Sequence, residues 1–194
     1  MRILVLVGPK GSGKTFIGRS IEEEHQKQQQ KKRATFLEIE MIAKEFLANI
    51  GGTAASWKEE AFRVSFFEQV QSRIEDLAKT TLKDDDDILI FETTGAAPET
   101  KKFLDNLNER FGGRGSSMHL IRIRSSPSTC AKRIQTRDSS RQVDVPLEMI
   151  QQMHTITDTL DWNWDLELIN DDENDGGHGL SKENIWKSVE KLLN

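Results

Sequence analysis

The sequence predicts an α/β fold: a five-stranded parallel sheet with helices on both faces. Three observations point that way. Short apolar runs recur at Ile3–Val7, Thr35–Ile39, Ile88–Phe91, His119–Ile123 and Leu166–Ile169. Amphipathic segments lie between four of them, which is the βαβ pattern of parallel strands crossed over by helices. The first run also delivers the chain into a glycine-rich turn, Gly8-Pro9-Lys10-Gly11-Ser12-Gly13-Lys14-Thr15, followed by helix-forming sequence.

Taken in order, the first helix opens at about Gly13 and ends in the cationic stretch Lys27–Arg33, where positive charge suits a helix C-terminus. The second strand follows at once. Residues 41–83 form an insert longer than a simple crossover needs, divided into two helices by Gly51-Gly52. Trp57, Phe62, Phe66, Val70, Ile74 and Leu77 fall near helical spacing there and should face the core. Asp84–Asp87 reads as a solvated, charged turn into the third strand. After the fourth strand a helix begins near Pro127 and continues through Arg137, until Asp138-Ser139-Ser140 breaks it. Val143–Pro146 then leads into a return helix, so that residues 133–146 have the layout of a short lid. The acidic, glycine-rich segment Asp171–Gly179 reads as a surface loop before a terminal helix, Ser181–Leu193. Residues 1–194 are thus read as a single domain.

Composition narrows the setting. A chain of 194 residues can bury a proper core. Net charge −5 and a pI near 5.5 argue against a surface that coats long nucleic acid. The one cysteine, Cys130, cannot pair within the chain, which fits a reducing, cytoplasmic compartment, and it reads as a small buried residue. The N-terminal apolar run is too short for a signal peptide or a membrane span. His25, His119, His154 and His178 match no ligand spacing for a structural metal.

The chemistry starts at the loop. Gly8 to Thr15 fit G-x-x-x-x-G-K-[ST] without a mismatch, in the strand–loop–helix context in which that motif binds phosphate. The loop of Gly8, Pro9, Lys10, Gly11, Ser12, Gly13, Lys14 and Thr15 would wrap the phosphates of a nucleoside triphosphate such as ATP with its backbone N–H groups, aided by the helix dipole. Lys14 would reach the β- and γ-phosphates, and the Thr15 hydroxyl would ligate Mg²⁺. Ligands of open parallel sheets sit beyond the carboxyl ends of the strands, where Glu38, Glu40 and Glu92 should project. Glu92 follows an apolar run and reads as a metal-serving carboxylate. Glu38 and Glu40 alternate with Leu37 and Ile39, so both should point to one side of a strand end. One would polarise an acceptor hydroxyl, the other hold a metal-bound water. Arg133, Arg137 and Arg141 supply guanidinium groups that a closing lid would bring to the transferring phosphoryl group. Arg63 either clamps an anionic acceptor or pairs with Glu59 or Glu60. Gly95-Ala96-Ala97 offers small residues where a substrate approaches the backbone, and Trp162 and Trp164 read as packing residues.

With these residues in place, the chain resembles the small P-loop kinases of the nucleoside-kinase-like group, which includes shikimate, gluconate and adenylate kinases. Phe36-x-Glu38-x-Glu40 occupies the slot of the aromatic-x-Asp-x-Asp run of shikimate kinase. Phe62-Arg63 stands for the Phe-Arg pair that holds its acceptor, and Gly95-Ala96-Ala97 for its glycine triplet. Arg133 to Met153, with Val145-Pro146, is similar to the lid region of polynucleotide and zeta-toxin-type kinases. The resemblance implies strand order 2-3-1-4-5 and places Asn170-Asp171 near the nucleotide base.

The expected activity is ATP- and Mg²⁺-dependent phosphoryl transfer to a hydroxyl or phosphate of a small molecule. In that scheme Lys14 and the arginines stabilise the phosphoryl group, and Glu40 orients the acceptor. Glu38 and Glu92 serve the metal, while Glu38, Arg63 and Gly95 meet the substrate. The competing readings are a nucleotide or polynucleotide 5′-hydroxyl kinase, and a nucleotide-gated switch with little turnover. No Asn-Lys-x-Asp motif of GTPase switches occurs.

Overall fold

Strand β1, Arg2–Val7, alternates buried side chains to both sides: Ile3, Val5 and Val7 join one core, Leu4 and Leu6 the other. A strand buried on both faces belongs at the centre of a parallel sheet. In the computed structural model, which describes residues 1–28, 32–112, 117–136, 146–171 and 180–193, it lies there. It pairs in parallel with β3 (Ile88–Thr93) and β4 (Met118–Arg124). The outer strands β2 (Ala34–Leu37) and β5 (Leu166–Ile169) add to β3 and β4, again in parallel. The order is β2-β3-β1-β4-β5, as the resemblance implied.

Helices α1 (Lys14–Gln28) and α7 (Lys182–Leu193) cover one face, placing Ile17, Ile21, Ile185, Trp186 and Val189 on the sheet. The other face is covered by α2 (Ile39–Ile50), α3 (Glu60–Thr80) and α4 (Glu99–Phe111). Phe62, Phe66, Val70 and Ile74 are buried along α3 at the predicted spacing, with Leu77 partly buried beside them. Gly51 closes α2, and a 3₁₀ turn, Ala54–Lys58, carries Trp57 back onto the core. Its start is tied by Thr53 and Ser56, whose side chains bond each other's backbone N–H groups or neighbours. Helices α5 (Pro127–Thr136) and α6 (Leu147–Asp158) follow β4.

Three expectations need correction or restriction. Strand β2 ends at Leu37, and Glu38 is the N-cap position of α2, so Glu38 and Glu40 are not alternating strand residues. Ile39 belongs instead to the helical series Ile39, Ile42, Ala43 and Phe46, which packs on the sheet. The Asp84–Asp87 turn is not wholly solvated: Asp87 is buried, and its carboxylate accepts from the backbone N–H groups of Arg33 at 2.8 Å and Asp84 at 3.0 Å. Helix α5 is described only to Thr136; Arg137, Arg141, most of the 133–146 lid and positions 172–179 of the acidic segment, with His178, lie outside the described residues. Trp162 and Trp164 stack on each other at 5.5 Å and pack on the core, with the Arg122 guanidinium over Trp164. Cys130 is buried, and burial pushes its thiol pKa up. Among the described residues no helix is long and apolar enough to cross a membrane.

Candidate functional site

The carboxyl ends of β1 and β3 lie side by side, Val7 opposite Thr93 and Leu6 opposite Glu92. From there residues 8–13 turn into α1. The turn needs glycine: Gly11 and Gly13 sit at φ 87 and 91, in the left-handed region. A Cβ on Gly13 would also stand 2.3 Å from the Asn170 amide nitrogen. That close approach has a purpose. Asn170 Nδ2 donates to the Ser12 carbonyl at 2.8 Å, and Arg133 Nη1 donates to the Asn170 carbonyl at 3.0 Å. The end of β5 and the helix after β4 therefore brace the loop from behind. Asp171 adds to this brace, accepting from Ser126 N at 3.0 Å and Ser126 Oγ at 2.8 Å. Burial alone would raise its pKa, but these bonds outweigh burial and hold it below its usual value.

Lys14 is buried, and its ammonium donates to the carbonyls of Gly8 at 2.8 Å and Pro9 at 2.9 Å. Burial lowers its pKa, against the attraction of Glu92 and Glu40. Ser12 Oγ is buried in the same loop without a hydrogen-bond partner. Thr15 Oγ1 donates to the buried carboxylate of Glu92 at 3.1 Å. A hydroxyl and a carboxylate oxygen at this separation are hard donors of the kind Mg²⁺ takes, usually beside phosphate oxygens and waters. Among the described residues no cluster of three or more His, Cys, Asp or Glu forms an all-protein metal cage. The loop and the Thr15–Glu92 pair therefore fit a Mg²⁺–nucleotide.

The acidic residues after β2 are separately engaged. Glu40 accepts from Lys10 Nζ at 2.7 Å. Glu38 accepts from Arg19 Nε at 3.1 Å, which raises the arginine's pKa. Glu38 is thus paired with a cation one turn along α1 from Thr15. The Arg63 guanidinium hydrogen-bonds to neither the Glu59 nor the Glu60 carboxylate. It forms a two-pronged pair with Glu99 at 2.8 and 2.9 Å and donates to the Trp57 carbonyl at 2.9 Å. That pair holds the Glu99 carboxyl below its ordinary range.

Lys14, Thr15, Glu38, Glu40, Arg63, Glu92 and Arg133 all border one cavity of about 800 Å³. Gly95 does not: it packs against Leu160, Val7 and Trp162, while Ala96 and Ala97 line the space. Helix α6 contributes Met149 and Met153, and Thr157 ties it to the end of β3 by donating to the Thr94 carbonyl at 2.8 Å. Sequence reasoning missed Arg19, Glu99 and Thr100. Arg19 had a signal, lying four residues after Thr15 on the same helix face. Glu99 had none, because its partner Arg63 lies on another helix, and no local pattern marks Thr100.

A family model described as an AAA domain matches residues 3–159. No curated protein matches the sequence at a significant level. Among solved structures, the chain is similar to a gluconokinase from Sinorhizobium meliloti, with TM-score 0.54, 16% identity and coverage of 98% of this chain and 90% of that one. It is also similar to the Mycobacterium tuberculosis APS kinase in complex with AMPPNP and APS (TM-score 0.61, 14% identity, 99% and 96% covered). A third match is the shikimate kinase of Aquifex aeolicus (TM-score 0.55, 18% identity, 100% and 96% covered). At such identities the likeness establishes a fold, and that fold is the one shared by P-loop kinases.

Proposed function

The chain belongs to the AAA domain family, and from that premise we propose that it is an ATP- and Mg²⁺-dependent phosphotransferase acting on a hydroxyl or phosphate of a small molecule. One observation carries the reading: the phosphate loop, the Thr15–Glu92 pair and a roomy cavity beyond Glu40 are continuous. A switch protein needs the first two features but has no use for the third.

Bound Mg²⁺ would neutralise charge on the β- and γ-phosphates. The loop amides bind the phosphates, and Lys14 moves from its two carbonyls to the phosphoryl oxygens. Thr15 and Glu92 would hold the metal's side of the site. Glu40, fixed by Lys10, orients the acceptor oxygen and takes its proton when that oxygen is a hydroxyl. The acceptor oxygen forms a bond to the γ-phosphorus as the bond to the β–γ bridging oxygen breaks, and the electron pair leaves with ADP. Arg133 borders the same cavity and supplies positive charge beside the loop, with Arg137 and Arg141 proposed to extend it. In-line placement and charge stabilisation account for catalysis of this kind, so no covalent intermediate is required. A cytoplasmic setting fits the single buried thiol, and the acidic net charge suits a small acceptor better than long nucleic acid.

The test is transfer of labelled γ-phosphate from ATP–Mg²⁺ to pooled acceptors: sugars and hydroxy acids, nucleosides and nucleotides, and short 5′-hydroxyl oligonucleotides. Label should enter one small-molecule pool, and Lys14→Ala should lower turnover by on the order of 10²–10³. Glu40→Gln should lower it as well. Tight ATP binding with no label in any pool would favour the nucleotide-gated switch, and label confined to oligonucleotides the 5′-hydroxyl kinase.

A further inference from the structure

The acceptor end of the cavity has an unusual lining for a site that takes sugars or acids. Its wall is a connected set of rings. Trp57 meets Phe66 edge-on at 4.9 Å, Phe66 meets Phe67 at 5.6 Å, Phe67 meets Phe103 at 5.0 Å, and Phe103 meets Phe91 at 6.1 Å. All five border the cavity, joined by the thioethers of Met149 and Met153, which adapt to flat apolar surfaces.

Among the described residues, the charged side chains at this end are paired with one another. Arg63 is matched by Glu99, Arg19 by Glu38, and Lys10 by Glu40. An anionic acceptor would have to displace one of these carboxylates, leaving a half-buried charge exchanged rather than gained. Among the described residues at this end, one polar group stands apart. Thr100 is 1% exposed, lies on α4 one turn before Phe103, and borders the cavity with its Oγ1 buried and without a hydrogen-bond partner. Folding gains nothing from that hydroxyl: an unsatisfied buried one costs about 1–3 kcal/mol, and valine would fill the same space.

Resting on the kinase reading above, we infer that the acceptor is an uncharged heteroaromatic alcohol, its ring against the Trp57–Phe103 wall and a polar ring edge bonded to Thr100. The wall supplies stacking surface, the paired charges exclude acids, and Thr100 selects a ring with a hydrogen-bonding edge over plain hydrocarbon. The hydroxyl then points from the ring towards Glu40 and the phosphate loop.

The test is calorimetric titration of the full chain, saturated with AMPPNP and Mg²⁺, with adenosine, uridine and pyridoxine, and separately with gluconate and shikimate. At least one of the three heteroaromatic alcohols should bind, and neither acid should bind as well. Thr100→Val should weaken that binding about tenfold, the cost of one neutral hydrogen bond, without lowering the melting temperature. Thr100→Ser should restore it. Preference for gluconate or shikimate overturns the inference, as does failure of all three alcohols when AMPPNP binds, or unchanged affinity in Thr100→Val. Failure of AMPPNP itself to bind is a different result: it removes the kinase reading on which the inference rests.

Discussion

Lys14 is where burial and charge oppose each other most directly. Its ammonium is buried against two loop carbonyls, and burial lowers its pKa from the usual lysine value. A triphosphate brought beside it adds negative charge and raises that pKa again. Between the two values the free protein carries less than a full proton on Lys14 and the complex carries more. Nucleotide binding therefore takes up protons in that window, and affinity falls as pH rises through the free-protein pKa. Below the window Lys14 is charged in both states and contributes no pH dependence. Titrations of ATP–Mg²⁺ in buffers of different ionisation heat should report this uptake, and Lys14→Gln should remove it. Equal heats in all buffers would mean that the ammonium keeps its proton throughout.

Between elements, the Arg63–Glu99 pair fastens α3 to α4 at the mouth of the aromatic wall. Each partner is 16% exposed, so solvent screens part of the attraction, yet the two-pronged geometry is better than that of a surface pair. A double-mutant cycle with Arg63→Met and Glu99→Gln should give a coupling of about 1 kcal/mol in urea unfolding. Additive effects would show that the helices are held by their apolar faces alone. This pair also marks a limit of reading the chain by itself. Its members stand 36 positions apart, and no local pattern joins them. The strands were readable because each is buried on one or both faces and so runs apolar, and the loop because its eight residues match a phosphate-binding motif between a strand and a helix. Glu38 and Glu40 were misplaced for a definite reason. Leu37 and Ile39, two positions apart, suit a strand, while Ile39, Ile42 and Ala43 suit a helix; packing on the sheet decides for the helix. Both glutamates nevertheless border the cavity, because a helix starting at a strand's carboxyl end points its first turn at the same space.

The whole molecule is uneven across its sheet. On one face α1 and α7 bury Ile17, Ile21, Ile185, Trp186 and Val189 at 3% exposure or less. Trp186 also donates to Gln28 at 2.9 Å and lies against the His25 ring. On the other face the aromatic side chains of α3 and α4 leave the cavity open between them. A site that must admit an acceptor cannot be packed to full density around its cavity, whereas the α1–α7 face has no ligand to admit. Trp186→Ala should therefore cost about 3–5 kcal/mol, the ordinary loss for emptying a packed aromatic site. Phe67→Ala removes a half-buried ring from the edge of a space that already exists, and should cost under about 2 kcal/mol. Ligand effects should run in the opposite order: Phe67→Ala weakens acceptor binding, whereas Trp186→Ala leaves it near wild type under conditions where the variant is folded. Urea unfolding and acceptor titration of the two variants measure both halves of the comparison. Equal stability losses would mean that the two faces share the work of holding the fold, and that the cavity is a filled layer of the core rather than a site kept open for substrate.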